Sequence, residues 1–231
     1  MDTRRTKNKK TYGIIQRRFL PRTHFFAVFS MLFLALILAA GITGCGKKTP
    51  ETSQLVIGKN AVTHTIVETF AKEYYDLDDL KASVEKDVEG FNASAGGDAV
   101  SLSKFTENTP KDGEPSVVVV LKFKGFDAFS GYYERSGSIV YYYGDIADAV
   151  KKDAVSETIL YENGDTSGKA VTPEQLRKMS EGHFFIATET VEVELPEDIL
   201  YCSGNVTVNG NRRASVTIAE GGEQAAYILT E

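Results

Sequence analysis

The chain has 231 residues, with 26 Lys and Arg against 32 Asp and Glu and no tryptophan. Eight of the basic residues and one of the acidic ones precede Cys45, so 18 against 31 remain from there on, a net charge of −13. A surface of that sign repels polyanions, which argues against nucleic acid and against flat adhesion to anionic lipid; cationic partners and a plainly solvated surface both stay open.

Taken in order, the chain begins with a basic arm, Arg4 to Arg22, and then Phe25 to Ala40, sixteen residues without a charge. A charged region, an apolar region and a small-residue exit form the pattern of a secretory signal. The apolar run falls short of the ~20 residues that span a bilayer comfortably. It ends in Ile42-Thr43-Gly44-Cys45, which resembles the bacterial lipobox. That resemblance implies diacylglyceryl transfer to the Cys45 thiol, cleavage before Cys45 and a mature amino terminus held by acyl chains. Two chains suffice for stable attachment, at about 0.8 kcal/mol per buried CH₂. The competing reading is an uncleaved membrane-spanning anchor with Cys45 incidental. Both place the remainder at the outer face of the cytoplasmic membrane. Residues 1–44 are thus expected to be a signal peptide, 45–53 a lipidated cysteine with a tether, and 54–231 an extracytoplasmic domain. Gly46 to Ser53 is polar and spans about 15 Å as a flexible chain, which keeps that domain near the lipid.

Beyond the tether, Gln54–Gly58 and Ala61–Phe70 predict strands around a Gly-Lys-Asn turn. Leu77, Leu80, Val84, Val88 and Phe91 repeat at helical spacing and predict one long amphipathic helix, Leu77 to Ala95. Asp76 is placed to cap it and Gly96-Gly97 to end it. Strands follow at Val100–Phe105 and Ser116–Phe123. The unbroken run Val117–Leu121 predicts a strand covered on both faces. Packing of Leu80, Val84, Val88 and Phe91 against Val118 and Val120 is expected, with Val84→Asp unfolding the domain. Phe126–Arg135 predicts a short helix, Ile139–Tyr143 a strand, and Asp145 the cap of another short helix. Glu157–Tyr161 is a further strand. Thr172-Pro173-Glu174-Gln175 has the form of a capping box that opens a helix through Ser180. From His183 onward the pattern is strands: His183–Ala187, Val191–Leu195, Ile199–Ser203, Asn205–Val208, Ala214–Ile218 and Ala225–Leu229. The expected fold is α+β, a mainly antiparallel sheet with one long helix and a β-rich carboxyl end.

Chemical signatures are scarce. Gly164 to Lys169 has three residues between its glycines where a phosphate loop has four, and Ala170 where that loop needs Ser or Thr. Asp76, Asp78 and Asp79 lack the spacing of a calcium loop and suit helix capping. His64 and His183 are far apart with no partner cysteine pair, which argues against zinc. His64 shares a strand face with Val62 and Ile66 and is expected to be packed and hydrogen-bonded. Cys202, within an apolar run and without a basic neighbour, is expected to be a buried, inert thiol. Tyr141, Tyr142 and Tyr143 alternate faces in a strand, so they cannot form one binding stripe together. No cofactor or metal is expected, and no serine-nucleophile motif is present. A carboxylate pair suited to glycan hydrolysis is compatible with so many acids, but the sequence points to none.

Four stretches resemble a group of uncharacterised lipoproteins of Gram-positive gut anaerobes. They are the lipobox, HTIVETFAKEYYDLDDLKASVEKDVEGFN from His64, YYYGDIADAV from Tyr141, and DILYCSGNVTVNG with the terminal AAYILTE. The resemblance implies a monoderm cell surface and assigns no site residue besides Cys45. The expected role is a non-enzymatic module that binds an envelope protein or polymer near the membrane. A carboxylate-pair hydrolase and a transporter's solute-binding lipoprotein are the alternatives.

Overall fold

A computed structural model describes residues 50–69, 76–109, 114–135, 141–155, 158–219 and 225–231, all within one compact unit, Gly44–Glu231. Cys45 and the apolar run before it lie outside the described residues, as do positions 139 and 140 of the strand expected at Ile139–Tyr143.

In chain order the elements are β1 (Gln54–Ile57), β2 (Val62–Thr69), α1 (Leu77–Ala95), β3 (Val100–Asn108), β4 (Ser116–Phe123), α2 (Phe126–Glu134), β5 (Tyr141–Asp145) and α3 (Ile146–Lys151). They continue with β6 (Leu160–Glu162), β7 (Ala170–Val171), α4 (Pro173–Leu176), β8 (His183–Ala187), β9 (Val191–Glu194), β10 (Ile199–Cys202), β11 (Val206–Gly210), β12 (Arg213–Val216) and β13 (Ala226–Thr230). The fold is mixed, mostly sheet and mainly antiparallel, but the strands divide between two sheets where one was expected. The first runs β11-β12-β9-β1-β2-β4-β3 and the second β5-β8-β13-β10-β6-β7. Among the described residues every pairing is antiparallel except that of β1 with β9.

The inner faces of the sheets meet in the main core. Leu55, Leu121 and Phe123 from the first sheet pack there with Phe185 and Ile228 from the second, and Phe129 of α2 joins them. The outer face of the second sheet builds a smaller core in which Ile146 and Ala149 of α3 and Leu176 of α4 cover Leu160, Phe184 and Ile186. Tyrosine alternation follows from the pleat: Tyr141 and Tyr143 turn to the main core and Tyr142 to the smaller one.

Local chemistry explains most boundaries. Asp76 accepts from the Asp78 and Asp79 amides at the start of α1, and Gly96 ends it at φ 75°. Thr172 and Gln175 complete the capping box, yet α4 stops at Leu176 and not at Ser180. Gly182 is required where it stands. At φ 101° its Cβ position would lie 2.7 Å from the Thr230 carbonyl oxygen.

Two expectations need correction. Val117, Val119, Leu121 and Phe123 face the core that holds Val88 and Phe91, whereas Val118 is buried outside that core. The expected partners Val118 and Val120 were therefore off by one residue, because an all-valine run hides which parity points inward. Asp145 precedes α3 but makes no capping hydrogen bond; its carboxylate lies 3.4 Å from His183 Nε2 instead. Among the described residues no helix is long and apolar enough to cross a membrane.

Candidate functional site

β2 sends Val62, His64, Ile66 and Glu68 to the inner side of the first sheet. His64 stands in register with Leu55 on β1 and Leu121 on β4, both apolar. That places an imidazole in the middle of a hydrophobic row, 2 % exposed. α2 lays Phe129 and Tyr133 over it, with ring centroids at 5.7 and 5.4 Å, and β5 brings Tyr141 to 6.2 Å. Nδ1 of His64 and the Tyr133 hydroxyl are 2.6 Å apart. The packed, hydrogen-bonded histidine expected from the sequence is what the structure contains.

The rest of the cluster comes from the crossing between sheets. β8 lies in the second sheet and β9 in the first, so residues 188–190 carry the chain from one to the other. Glu189, in that crossing, accepts a hydrogen bond from the Tyr141 hydroxyl through Oε1. The same oxygen is 3.8 Å from His64 Nε2, too far for a hydrogen bond. Nε2 is sealed from solvent and has no hydrogen-bond partner. A Tyr133 hydroxyl that donates to Nδ1 leaves the ring proton on Nε2, the tautomer that a neighbouring carboxylate favours.

Electrostatics follow from burial. Desolvation lowers the His64 pKa to about 3, so the ring is neutral at physiological pH. Desolvation, reinforced by the charge of Glu189, raises Glu68 to about 7. Burial also raises Glu189, against the opposing effect of the Tyr141 hydrogen bond. Tyr133 and Tyr141 are pushed well above the usual tyrosine range, by burial first and then by Glu189. Of these groups Glu68 is the one raised into the neutral range. Among the described residues no group of three or more His, Cys, Asp or Glu has an arrangement that holds a metal ion.

A second set repeats the theme closer to the surface. Tyr143 donates to Glu197, which lies in the crossing from β9 back to β10. The Tyr143 ring stacks on His183 at 5.4 Å, and His183 Nδ1 is 4.0 Å from Glu197. Cys202 is fully buried, and burial pushes its thiol up to about 11, as suits an inert side chain. Glu68, Glu189 and Glu197 were not singled out from the sequence. Glu68 alone left a trace there, as a charge four residues after His64 on the apolar side of an alternating strand. No protein-family model, no curated protein and no solved structure matches the chain.

Proposed function

We propose that the protein is a lipid-anchored extracytoplasmic module, attached through Cys45 at the outer face of the cytoplasmic membrane, that binds a protein or envelope polymer there. The observation that carries this reading is the charge-free run closed by Ile42-Thr43-Gly44-Cys45, with β1 starting only nine residues after that cysteine. The stretches quoted above for the lipoprotein group of Gram-positive gut anaerobes support the same reading. In this module α1 acts as the one long amphipathic helix, its apolar stripe laid on the rim of the main core. The test is incorporation of labelled palmitate with membrane fractionation. The wild-type chain is expected in the membrane with label, and Cys45→Ala without label. Cross-linking in intact cells then looks for a partner that requires the anchor. Label that persists in Cys45→Ala sinks the anchor, and no anchor-dependent cross-link removes the binding role.

A second reading is favoured by a specific observation. Burial raises both Glu68 and Glu189, and the charge of Glu189 adds to the rise at Glu68, the direction that a general acid acting on envelope glycan needs. Its test is reducing-end release from purified cell-wall glycan by wild type and by Glu189→Gln. The solute-binding alternative calls for two lobes around a cleft.

A further inference from the structure

Val117, Val119, Leu121 and Phe123 of β4 face the main core, so Val118, Val120 and Lys122 face away from it. Register then lays out two cross-strand rows on that outer side, Thr63–Lys122–Ser101 and Thr65–Val120–Lys104. A third row, Val67–Val118–Thr106, has both its valines buried and bounds the polar ground on one side. Lys124 follows β4, its amide donating to the Ala99 carbonyl as a continuation of the ladder. Lys104, Lys122 and Lys124 are all exposed. Helices α1 and α2 pack in the main core, and α3 and α4 on the second sheet. Among the described residues, therefore, no helix covers this face.

Lys104 pairs with Val120, so the three lysines stand level with positions 120, 122 and 124 of β4. They form a line of positive charge with a step of about 6.8 Å, two strand residues. Among the described residues none of the three forms an ion pair. The outward positions of β2, β3 and β4 hold no carboxylate, since Glu68 and Glu107 both stand opposite Val117 on the inner side. Asp98 precedes β3, and Asp127 belongs to α2. The outward carboxylates of this sheet are Glu192 and Glu194 of β9, and Arg213 already pairs with Glu194. β9 lies three strands from β4, about 14 Å away, which exceeds the ~8 Å screening length at physiological ionic strength. A domain with a net charge of −13 thus keeps a locally positive strip. We infer that this strip binds a linear envelope polymer of phosphodiesters, one negative charge per short repeat, laid along β3 and β4. Each ammonium meets a phosphate as a point charge, and the hydroxyls of Thr63 and Ser101, on either side of Lys122, can donate to the same oxygens. A flat anionic lipid surface fits less well, because it would press on Glu192 too, whereas a thin chain follows one half of the sheet. Such a polymer is one form of the envelope partner proposed above, so the assignment rests on that reading.

Anisotropy of end-labelled poly(glycerol phosphate) tests it, with the chain isolated from membranes and held in nanodiscs of zwitterionic lipid. Three charges engaged on a flexible polyanion give a salt slope of about −2, so Kd is expected to weaken about 15-fold between about 50 and 200 mM salt. The triple variant Lys104→Gln, Lys122→Gln, Lys124→Gln is expected to lose this salt-dependent binding, and the corresponding triple change to Arg to keep it. Glu192→Gln is expected to leave Kd unchanged. Equal binding by wild type and a natively folded Gln variant overturns the proposal, as does binding without salt dependence. Should the Gln variant lose its fold, the single changes decide. Each is expected to lower the slope by about 0.7, and unchanged slopes overturn the proposal. Tighter binding of phosphatidylglycerol vesicles would assign the strip to the membrane, and tighter binding of poly-L-glutamate to an acidic protein; either overturns the polymer. Failure here with an anchor-dependent cross-link still present leaves the binding role standing, and failure together with loss of that cross-link removes both.

Discussion

Tyr141 donates its hydroxyl to Glu189, and two residues further along the same strand Tyr143 donates to Glu197. The two acceptors lie on successive passages of the chain between the sheets. Among the described residues β5 is an edge strand with a single ladder, to β8, and these two bonds tie it to both passages. Tyr141→Phe leaves a mostly buried carboxylate short of a donor and is expected to cost about 1.5–3 kcal/mol, the range for a hydrogen bond to a charged group. Tyr143→Phe, on a ring that is only partly buried where Tyr141 is buried, is expected to cost less. Urea unfolding of both variants checks the order, and equal losses would refute it.

His64 and Glu68 push stability in opposite directions with pH. The native state refuses His64 a proton down to about pH 3, while the unfolded chain accepts one near 6.5. The stability linked to His64 is therefore complete above 6.5 and falls as pH drops toward 3. Glu68 keeps its proton in the native state up to about 7 and loses it near 4.5 when unfolded. Its contribution is complete below 4.5 and falls as pH rises toward 7. Between 4.5 and 6.5 the two slopes cancel, each about 1.4 kcal/mol per pH unit. The raised Glu189 adds a further decline with rising pH, so unfolding followed across this range should give a shallow decline in the wild type. His64→Asn should make that decline markedly steeper.

Gly182 separates two costs of adding a methyl group. Gly182→Ala combines a positive φ with a clash against the Thr230 carbonyl and is expected to lose about 2 kcal/mol or more. Gly96 has φ 75° with nothing within 4 Å of its Cβ position. Gly96→Ala is expected to lose only about 1 kcal/mol, from backbone strain alone. Thermal melting of the pair distinguishes them, and equal losses would remove the clash from the account.

The burden within α1 falls near its end. Phe91 is buried and touches the Tyr132 ring, whereas Val84 is only partly buried. Phe91→Ala is expected to cost about 3–5 kcal/mol. Val84→Asp, which the sequence pattern alone marks as unfolding, is expected to give a folded chain of reduced stability. A cooperative melt of Val84→Asp with native circular dichroism checks this.

Element types were legible because their signals are local. The Asp76 cap, the Thr172 box and the alternation through His64 each depend on a few neighbouring residues. The valine run of β4 was legible as a strand and illegible as a face, since every position is apolar and only the partner strands reveal the parity. The division into two sheets was equally hidden, because it depends on which of several similar short strands β1 and β13 join. For the site, His64 declared itself packed. Glu189 could not, since it sits 121 positions from Glu68 in a short crossing. Its importance arises only when β5 and β2 converge on it.

β1 enters the first sheet between β2 and β9, antiparallel to one and parallel to the other. Just ahead of it, Ser53 accepts the Val67 amide through Oγ and the Glu192 amide through its carbonyl. A pull transmitted through the residues before Gln54 is thus directed along an interior strand, clamped on both edges. The two ladders must slide together before either gives way, so the load is shared in shear and cannot unzip one bond at a time. Whatever drags on this chain from its amino-terminal side meets a strand held on both edges.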